Sequence, residues 1–357
     1  MAAMVSRVLN IVPRVRFFAT HTWKLPEVPT GTSLNDVLAR QLVPGEAQLV
    51  QTREEAEAVL PELLSQRVVG VDCEGVALGR WGRLCLCQVS TPGQVYLFDG
   101  LRKGVIETLH PILASKAITK VMHDCREDSS ALSSQFDIQL EGVFDSQVAH
   151  TMLLERQASK PFQISLNELL KSVLQLENEK QTPLHKRMKS DPNIWFYRPM
   201  QEDLLAYATQ DVMYLPLLHR RLCDQLGDTT GNNVLSRSRQ YVNYSKMNLH
   251  LSSPKAAERR GLRLQAMLAT HTEAALYFKL NLGAHRQGVV SREEALKNFK
   301  DMHYGDIAEC WVSAWNTGGN ILFLERLEAG HTFPADPDFT TGKMGRRKRR
   351  RPIGSHD

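Results

Sequence analysis

Residues 67–78 read RVVGVDCEGVAL, an apolar stretch rich in valine that is interrupted by two acidic residues. A short apolar run with many β-branched residues is typical of a central strand in a sheet. Asp72 and Glu74 stand two positions apart, so a strand places their carboxylates on the same face. Because unpaired carboxylates on a buried strand cost several kcal/mol, we expect this pair to be protonated, paired with a base or bound to a metal ion. The Asp-x-Glu pattern alone is weak evidence for any of these.

The sequence on either side of this strand predicts the rest of a sheet. Residues 48–64 show a short strand pattern followed by an amphipathic helix, and residues 83–91 alternate between apolar and polar side chains. After a turn, residues 94–100 show a third strand pattern, which predicts a β-meander. Strand and helix patterns continue to alternate beyond it. We therefore predict an α/β domain over residues 45–225, in which helices flank a mixed sheet.

Asp128 is the next acidic candidate. It follows the apolar segment 116–124 and lies at the predicted start of a helix. A carboxylate in the first turn of a helix can simply offset the helix dipole. Asp124 and Glu127 are alternatives for either role, and the sequence leaves the choice among the three open.

Tyr207 and Asp211 form a further pair. They stand four residues apart in a segment with helical spacing, so both project from one face of the helix. Apolar residues at this spacing are also typical of ordinary core packing, with Asp211 at the polar edge. Together, however, four acidic residues on a central strand and two neighbouring helices suit a pair of divalent cations about 3.5–4 Å apart. Oxygen ligands of this kind select Mg²⁺ or Mn²⁺ rather than zinc.

Three segments carry a family resemblance: VDCEGVAL at 71–78, VMHDCREDSSAL at 121–132 and YATQDVMYL at 207–215. In this order they resemble the three exonuclease motifs of the DEDD superfamily. The Tyr-x3-Asp form of the last motif resembles the DEDDy branch, which includes ribonuclease D, the Werner exonuclease and the proofreading domains of DNA polymerase I. WFYRP at 195–199 matches the context of the third motif. GVFDSQVAH at 142–150 is similar to Egalitarian-type exonuclease-domain proteins, a group with RNA-linked roles in which some members have lost catalytic carboxylates.

The resemblance implies a ribonuclease H-like fold and a two-metal 3′–5′ exonuclease that releases nucleoside 5′-monophosphates from 3′ ends of RNA or single-stranded DNA. It implies that Asp72 bridges both metal ions and that Glu74 and Asp211 complete the shell of the first. Asp128 would hold the second ion through water, and Tyr207 would orient the attacking water. The alternative is a catalytically silent RNA-binding adaptor with the same fold, although this chain keeps all four carboxylates.

Four further residues are expected to contact nucleic acid. Related enzymes place an apolar wedge against the terminal base where this chain has Val76, Ala77 and Leu78. Packing at the end of a strand explains these three residues equally well. For His123 we expect a structural or substrate-positioning role rather than general base catalysis. Asp145 is expected to cap the helix that follows it.

Charge and cysteine content set further expectations. The net charge of +5 includes six positive charges at residues 346–351 (RRKRRR) and four in the first 26 residues, so the rest of the chain has a net charge of −5. The catalytic domain therefore needs another reason to approach a polyanion, such as bound divalent cations. The six cysteines are expected to be reduced and mostly buried. No apolar run reaches the roughly 18 residues of a membrane span, so no membrane partner is expected.

The two ends of the chain and its C-terminal third are predicted from composition. The basic, acid-free start of the segment 1–44 is typical of a mitochondrial presequence, and a linker follows it. The RRKRRR run also fits a nuclear localisation signal or a nucleic-acid-holding tail, so the nucleus and the cytoplasm are alternatives. We predict a smaller, mainly helical region at 226–340 that could bind a protein partner, with one long helix at 254–286. A disordered basic tail is predicted at 341–357.

Overall fold

The structure, a computed structural model, describes residues 47–176, 181–283, 285–291, 293 and 297–327. The predicted leader and linker at 1–44 and the predicted tail at 341–357 lie outside the described residues. Within the described ranges, no helix combines the length and the apolar character that crossing a bilayer requires. The chain divides into two compact units, one ending at Lys246 and the other starting at Met247.

The first unit contains the strands β1 (Ala47–Val50), β2 (Val68–Val76), β3 (Arg83–Ser90), β4 (Val95–Asp99), β5 (Thr119–Met122) and β6 (Val143–Asp145). They form a six-stranded sheet in the order β1-β4-β3-β2-β5-β6. The predicted meander β2-β3-β4 is antiparallel, whereas the β1–β4, β2–β5 and β5–β6 pairs are parallel. The predicted mixed sheet is confirmed.

The helices described in this unit are α1 (Arg53–Leu64), α2 (His110–Leu113), α3 (Arg126–Phe136), α4 (Ser146–Arg156), α5 (Leu166–Leu174), α6 (Gln181–Ser190), α7 (Glu202–Met213), α8 (Leu215–Leu226) and α9 (Asn232–Asn243). Capping boxes start two of them, from Thr52 and Glu55 at α1 and from Ser165 and Glu168 at α5. Asp145 accepts two backbone hydrogen bonds from the first turn of α4. The predicted cap is therefore confirmed.

The core of the first unit is built around β3, in which every residue from Leu84 to Ser90 is buried. Val71 and Cys73 of β2 are buried as well. Each buried aliphatic side chain contributes about 1.5–3 kcal/mol relative to exposure. All six cysteines of the chain lie among the described residues and are buried, which confirms their predicted burial.

Helix α9 belongs to the first unit, although it lies beyond the predicted domain end at residue 225. Ser238 of α9 accepts a hydrogen bond of 3.0 Å from the backbone N–H of Asp145. The ring of Tyr241 lies under the guanidinium of Arg126, with 4.5 Å between them. Both Ser238 and Tyr241 are buried, so this helix completes the packing around β6 and α3.

The second unit contains the strands β7 (Arg263–His271), β8 (Ala275–Lys279), β9 (Gln287–Ser291), β10 (Ile307–Trp315) and β11 (Ile321–Arg326). They close into a barrel in the order β10-β11-β9-β8-β7. The β9–β11 pair is parallel, and the other pairs are antiparallel. The barrel has its own core, with inward side chains such as Phe278, Val290, Val312 and Leu324.

The prediction of a mainly helical C-terminal region is wrong. Residues 254–286 contain β7, β8 and a short 3₁₀ turn at Pro254–Ala257 instead of one long helix. Alanine, leucine and methionine are strong helix formers, and they give the segment helical spacing. In the structure Leu264, Ala266 and Leu268 alternate into the barrel core. Pairing with neighbouring strands and burial of every second side chain outweigh the local helix propensity.

Candidate active site

Asp72 and Glu74 of β2 and Asp211 of α7 form a compact acidic group. One carboxylate oxygen of each lies within 4.8 Å of those of the other two. The structure thus brings together three residues that the sequence analysis selected from two distant segments. Carboxylate oxygens are the ligands that Mg²⁺ and Mn²⁺ prefer, and this group can hold a divalent cation.

A β-bulge follows Glu74 directly. Glu74 pairs with Leu86, but Gly75 pairs with Leu84, so one residue of β3 is skipped. A Cβ atom at Gly75 would lie 2.1 Å from the carbonyl oxygen of Arg83, and only glycine fits this approach. Bulges bend a strand and change the direction of neighbouring side chains. The bulge therefore lies at the residue that carries the second carboxylate of the strand pair.

Gly70 allows helix α7 to approach β2 closely. A Cβ atom at Gly70 would lie 2.4 Å from Ser90 Oγ and 2.7 Å from the carbonyl oxygen of Val212. Ser90 Oγ donates a hydrogen bond of 2.7 Å to that same carbonyl. Since Val212 follows Asp211 directly, the contact fixes the end of α7 that carries the third carboxylate.

Gly70→Ala should destabilise the protein and reduce any nuclease activity. The added methyl group overlaps backbone as well as side-chain atoms, and such overpacking costs about 1–3 kcal/mol. Gly93→Ala is the matched control, because a Cβ atom there meets nothing within 4 Å. Urea unfolding measures the free energies of unfolding. Equal free energies for the two variants would contradict the proposed role of Gly70.

Asp128 lies in the first turn of α3 and is 5% exposed. Burial, and next the charge of Asp72, raise the pKa of Asp128 well above its ordinary value. Its Oδ1 atom is buried and has no hydrogen-bond partner among the described residues. Asp128 is not one of the three carboxylates that meet within 4.8 Å. It extends the acidic group from the side of Asp72.

The two alternatives to Asp128 have partners elsewhere. Asp124 pairs with the guanidinium of Arg126, including a hydrogen bond of 2.7 Å from Nη2. Glu127 accepts a hydrogen bond of 2.9 Å from the hydroxyl of Tyr244. The structure therefore favours Asp128 as the residue of α3 that acts together with the strand pair.

The carboxyl groups of the strand pair have raised pKa values. Burial, and next the charge of Asp211, raise the pKa of Asp72 to about 8. Burial, and next the charges of Asp72 and Asp211, raise the pKa of Glu74 well above its ordinary range. No lysine or arginine of the described ranges forms an ion pair with Asp72, Glu74 or Asp128. These three carboxyl groups therefore need bound protons or an external cation.

The raised pKa of Asp72 predicts how pH and metal ions act on stability. The Asp72 carboxyl has a pKa of about 8 in the folded protein and an ordinary value of 3.8. Its contribution to the free energy of unfolding is therefore fully present below about pH 4 and is lost as the pH rises to 8. We therefore expect Mg²⁺ or Mn²⁺ to raise Tm more at pH 8 than at pH 5.5, where protons compete for the site. A hundredfold excess over Kd would contribute about 2.7 kcal/mol. Thermal unfolding with potassium chloride at equal ionic strength is the control, and equal shifts at both pH values would contradict the expectation.

Tyr207 lies one turn before Asp211 on α7, as predicted. Burial, and next the charge of Asp211, raise the pKa of the Tyr207 phenol, so it remains a hydrogen-bond donor at neutral pH. Its hydroxyl oxygen is 3.5 Å from Nε2 of His185 on α6. The rings of Tyr207 and Trp195 lie 6.1 Å apart. The phenol is thus held between the acidic group and two aromatic neighbours.

Arg198 anchors the WFYRP segment to the sheet. Its guanidinium binds the buried carboxylate of Asp99 at the end of β4 through two hydrogen bonds of 2.8 and 2.6 Å. Burial alone would raise the pKa of Asp99, but the hydrogen bonds and charge of Arg198 hold it below the ordinary value. Further hydrogen bonds from Arg198 reach the backbone carbonyl oxygens of Cys85, Trp195 and Tyr197. The anchor therefore positions the tryptophan that lies near Tyr207.

The predicted wedge lies just beyond the acidic strand. Val76, Ala77 and Leu78 are all partly exposed, and Ala77 has a positive φ of 46°. The side chain of Gln135 stabilises the turn that follows. It donates a hydrogen bond of 3.0 Å to the carbonyl oxygen of Gly79 and accepts one of 3.0 Å from a backbone N–H of β3. The wedge is thus accessible and supported, and its contact with a terminal base stays a prediction.

Both ring nitrogens of His123 are used inside the protein. Nδ1 lies 2.9 Å from the Ser146 hydroxyl, and Nε2 lies 3.0 Å from the carbonyl oxygen of Ile164. These contacts favour the structural or positioning role over general base catalysis. Contact of His123 with nucleic acid stays a prediction.

Five supporting residues were not among the candidates predicted from sequence patterns: Gly70, Gly75, Gln135, His185 and Arg198. A glycine inside a strand pattern signals a bulge or a close backbone approach, so the two glycines carried a usable signal. The other three residues act through contacts with distant segments, and no local pattern reveals such contacts.

Comparison with known proteins matches the part of the chain that carries the candidate catalytic residues. A sequence model of the family described as 3′–5′ exonuclease matches residues 47–227, about half of the chain. The chain is 33% identical over 218 residues to the piRNA biogenesis protein EXD1 of Mus musculus, which covers 56% of this chain and 37% of that protein. It is 34% identical over 111 residues to the Egalitarian protein homolog of Caenorhabditis elegans, covering 30% of this chain and 19% of that protein. The chain thus spans less than half the length of these curated relatives.

Among solved structures, RNase D of Trypanosoma brucei in complex with the RNA U12 is similar, with a TM-score of 0.51 and 27% identity. The match covers 60% of this chain and 75% of that chain. It confirms the ribonuclease H-like sheet. The family match at 47–227 lies within the first unit and contains every candidate catalytic residue.

Proposed function

The chain belongs to the 3′–5′ exonuclease family, and from this premise we propose that it removes nucleoside 5′-monophosphates from the 3′ ends of RNA or single-stranded DNA. The observation that carries the proposal is the meeting of Asp72, Glu74 and Asp211 within 4.8 Å, with Asp128 buried beside them. Asp72, Glu74 and Asp128 form no ion pair with a lysine or arginine of the described ranges, and carboxylates removed from water without a partner lower the stability of a fold. A protein that used this fold only for binding would gain stability by losing them.

Two divalent cations, Mg²⁺ or Mn²⁺, fit the donor set. The buried Asp128 Oδ1 atom has no hydrogen-bond partner among the described residues, and an ion or its bound water would supply one. In this proposal Asp72, Glu74 and Asp211 would hold one ion, and Asp128 together with Asp72 would hold the other. When bound, the cations offset the negative charge of the carboxylates and the phosphate and make water easier to deprotonate.

The residues of the chain orient the reactants. Water attacks the phosphorus of the last phosphodiester in line with the 3′ oxygen, which leaves with the shortened strand and takes up a proton. Tyr207, kept protonated by its raised pKa, donates a hydrogen bond that orients the water. Glu74, which is partly exposed, accepts a hydrogen bond from the terminal 3′ hydroxyl. The wedge Val76–Leu78 packs against the terminal base.

RNA is the substrate class that the relatives support first. The similar mouse protein is named for piRNA biogenesis, and the similar trypanosomal structure holds RNA. Nothing in the carboxylate site itself distinguishes the two sugars. Both classes therefore belong in the test.

A paired degradation assay tests the proposal. We expect 5′-labelled oligonucleotides to shorten stepwise and 3′-labelled ones to release a labelled mononucleotide at once, with Mg²⁺ or Mn²⁺ but not with a chelator. An oligonucleotide blocked by a 3′ phosphate is the matched control and should resist. Intact ends with either metal, together with persistent binding of the oligonucleotide, would establish the non-catalytic adaptor instead.

A further inference from the structure

The barrel of the second unit has the strand arrangement of the oligonucleotide- and oligosaccharide-binding fold. Strands β7, β8 and β9 form an antiparallel meander, β9 pairs in parallel with β11, and β10 closes on β7. In that fold the outer face of the second and third strands and the adjoining loops form the binding surface. Here the second and third strands are β8 and β9. Because a fold alone does not assign a function, the residues on this face must decide.

One row of the outer face is aromatic. Tyr277 of β8 pairs with Val289 of β9, which pairs in turn with Phe323 of β11. All three are partly exposed, whereas their sequence neighbours Leu276, Phe278, Val290, Leu322 and Leu324 belong to the barrel core. Adjacent strands lie about 4.8 Å apart, so the two aromatic residues are roughly 10 Å apart across the valine. Aromatic side chains on such sheets act as stacking platforms for bases.

The two charged residues on this face lie at opposite ends of it. In the next row Lys279 pairs with Gln287, which pairs with Ile321. The outward residues of β8 and β9 are Ala275, Tyr277, Lys279, Gln287, Val289 and Ser291. They include the cation Lys279 and no acid, while the outward residues of β11 include the exposed Glu325. Glu325 stands four residues from Ile321, which is the β11 residue in the row of Lys279. A phosphate backbone that crosses beside Lys279 therefore lies at the other end of the face from this acid.

The β10–β11 loop places amide groups at the edge of the same face. The side chains of Asn316 and Asn320 are joined by a hydrogen bond of 2.6 Å. Asn316 Oδ1 also accepts a hydrogen bond of 3.1 Å from the backbone N–H of Ile321, the first residue of β11. Gly319 completes the turn with a φ of 66°. The loop is held in one conformation, and its exposed Asn320 can hydrogen-bond to the edge of an unpaired base.

We propose that the outer face of β8, β9 and β11 binds single-stranded nucleic acid, with bases stacked on Tyr277 and Phe323 and the phosphate backbone beside Lys279. The site uses none of the carboxylates of the first unit. It therefore binds without divalent cations and is independent of the proposed cleavage.

Fluorescence anisotropy with the full chain tests the proposal. The probes are 5′-fluorescein-labelled 12-nucleotide oligo(U) and oligo(dT), in chelator and in an Asp72→Asn background that prevents degradation. We expect Tyr277→Leu and Phe323→Leu each to weaken binding roughly tenfold, because leucine keeps the apolar bulk but loses the stacking surface. Tyr277→Phe keeps that surface and should bind like the parent. Lys279→Gln should reduce the slope of log Kd against log salt concentration by about one, as expected for the loss of one phosphate contact.

Matched controls lie elsewhere on the barrel unit. Ile307→Ala removes an apolar residue of β10 that is 38% exposed, and Lys255→Gln removes an exposed cation. Both should bind within twofold of the parent. Unchanged affinity of Tyr277→Leu and Phe323→Leu, in protein with an unaltered thermal transition, would overturn the proposal.

Photo-crosslinking gives a second readout that does not depend on a variant folding. A 4-thiouridine oligonucleotide should crosslink to the peptides that contain Tyr277 or Phe323. Crosslinks confined to the first unit would overturn the proposal. Loss of self-association in the two leucine variants, without loss of oligonucleotide binding, would overturn it too and would assign the face to a second copy of the chain.

Discussion

Asp72→Asn should abolish exonucleolytic cleavage and, at the same time, stabilise the metal-free protein. An amide is a far weaker ligand for divalent cations than a carboxylate, and Asp72 is the ligand proposed to be shared by both ions. A loss of about 4 kcal/mol of transition-state stabilisation corresponds to a thousandfold slower reaction. Burial, and next the charge of Asp211, raise the pKa of Asp72 to about 8, so the ionised carboxylate destabilises the fold at pH 8 and the neutral amide removes that cost. The free energy of unfolding at pH 8 without metal should therefore rise by at least about 1 kcal/mol.

The opposite signs of the two effects make this test specific. Single-turnover cleavage of labelled RNA measures the rate, and urea unfolding in chelator measures the stability. Asp137→Asn is the matched control, since Asp137 is exposed and has a φ of 55°, which asparagine tolerates. It should change neither quantity. A variant Asp72→Asn that cleaves normally, or that loses stability, would contradict the proposed site.

The sequence was sufficient to select the carboxylates because their signal is local. Asp72 and Glu74 interrupt an apolar strand, and a two-residue spacing fixes their common face whatever the tertiary structure. Tyr207 and Asp211 are likewise tied by helical spacing. What the sequence could not give is the order in which the strands pair, and hence the 4.8 Å approach of Asp211 to the strand pair.

The choice among the three acids of the second motif needed the structure. Asp124, Glu127 and Asp128 all stand near the end of β5 or in the first turn of α3. The structure shows that Asp124 pairs with Arg126, two residues along the chain, and that Glu127 accepts a hydrogen bond from the distant Tyr244. The remaining acid, Asp128, is buried beside Asp72.

The barrel was missed for a different reason. Its segment at 254–286 has residues that favour a helix, and a barrel is stabilised by pairings between distant strands. The parallel β9–β11 pair has no local signature at all. A period-two pattern was present at Leu264, Ala266 and Leu268, but it competed with an equally good helical pattern.

Arg198→Met should cause the largest loss of stability among the variants of the first unit. The carboxylate of Asp99 is fully buried, and it would lose its paired hydrogen bonds. Breaking a buried ion pair by removing one partner costs about 3–5 kcal/mol, because the other charge stays buried. The backbone around Trp195 would lose its anchor as well. Activity should therefore fall even at temperatures where the variant is folded, since that tryptophan lies beside Tyr207.

Arg102→Met is the matched control, because Arg102 also contacts Asp99 but from the surface. Its Nε lies 3.6 Å from the carboxylate, and its side chain is 54% exposed. A contact of this length from a solvent-exposed guanidinium is worth about 0–1 kcal/mol. The double variant Asp99→Asn with Arg198→Met removes the orphaned charge and should recover part of the loss in urea unfolding. If Arg198→Met and Arg102→Met lowered the free energy of unfolding equally, the bidentate pair would not be the anchor of the WFYRP segment.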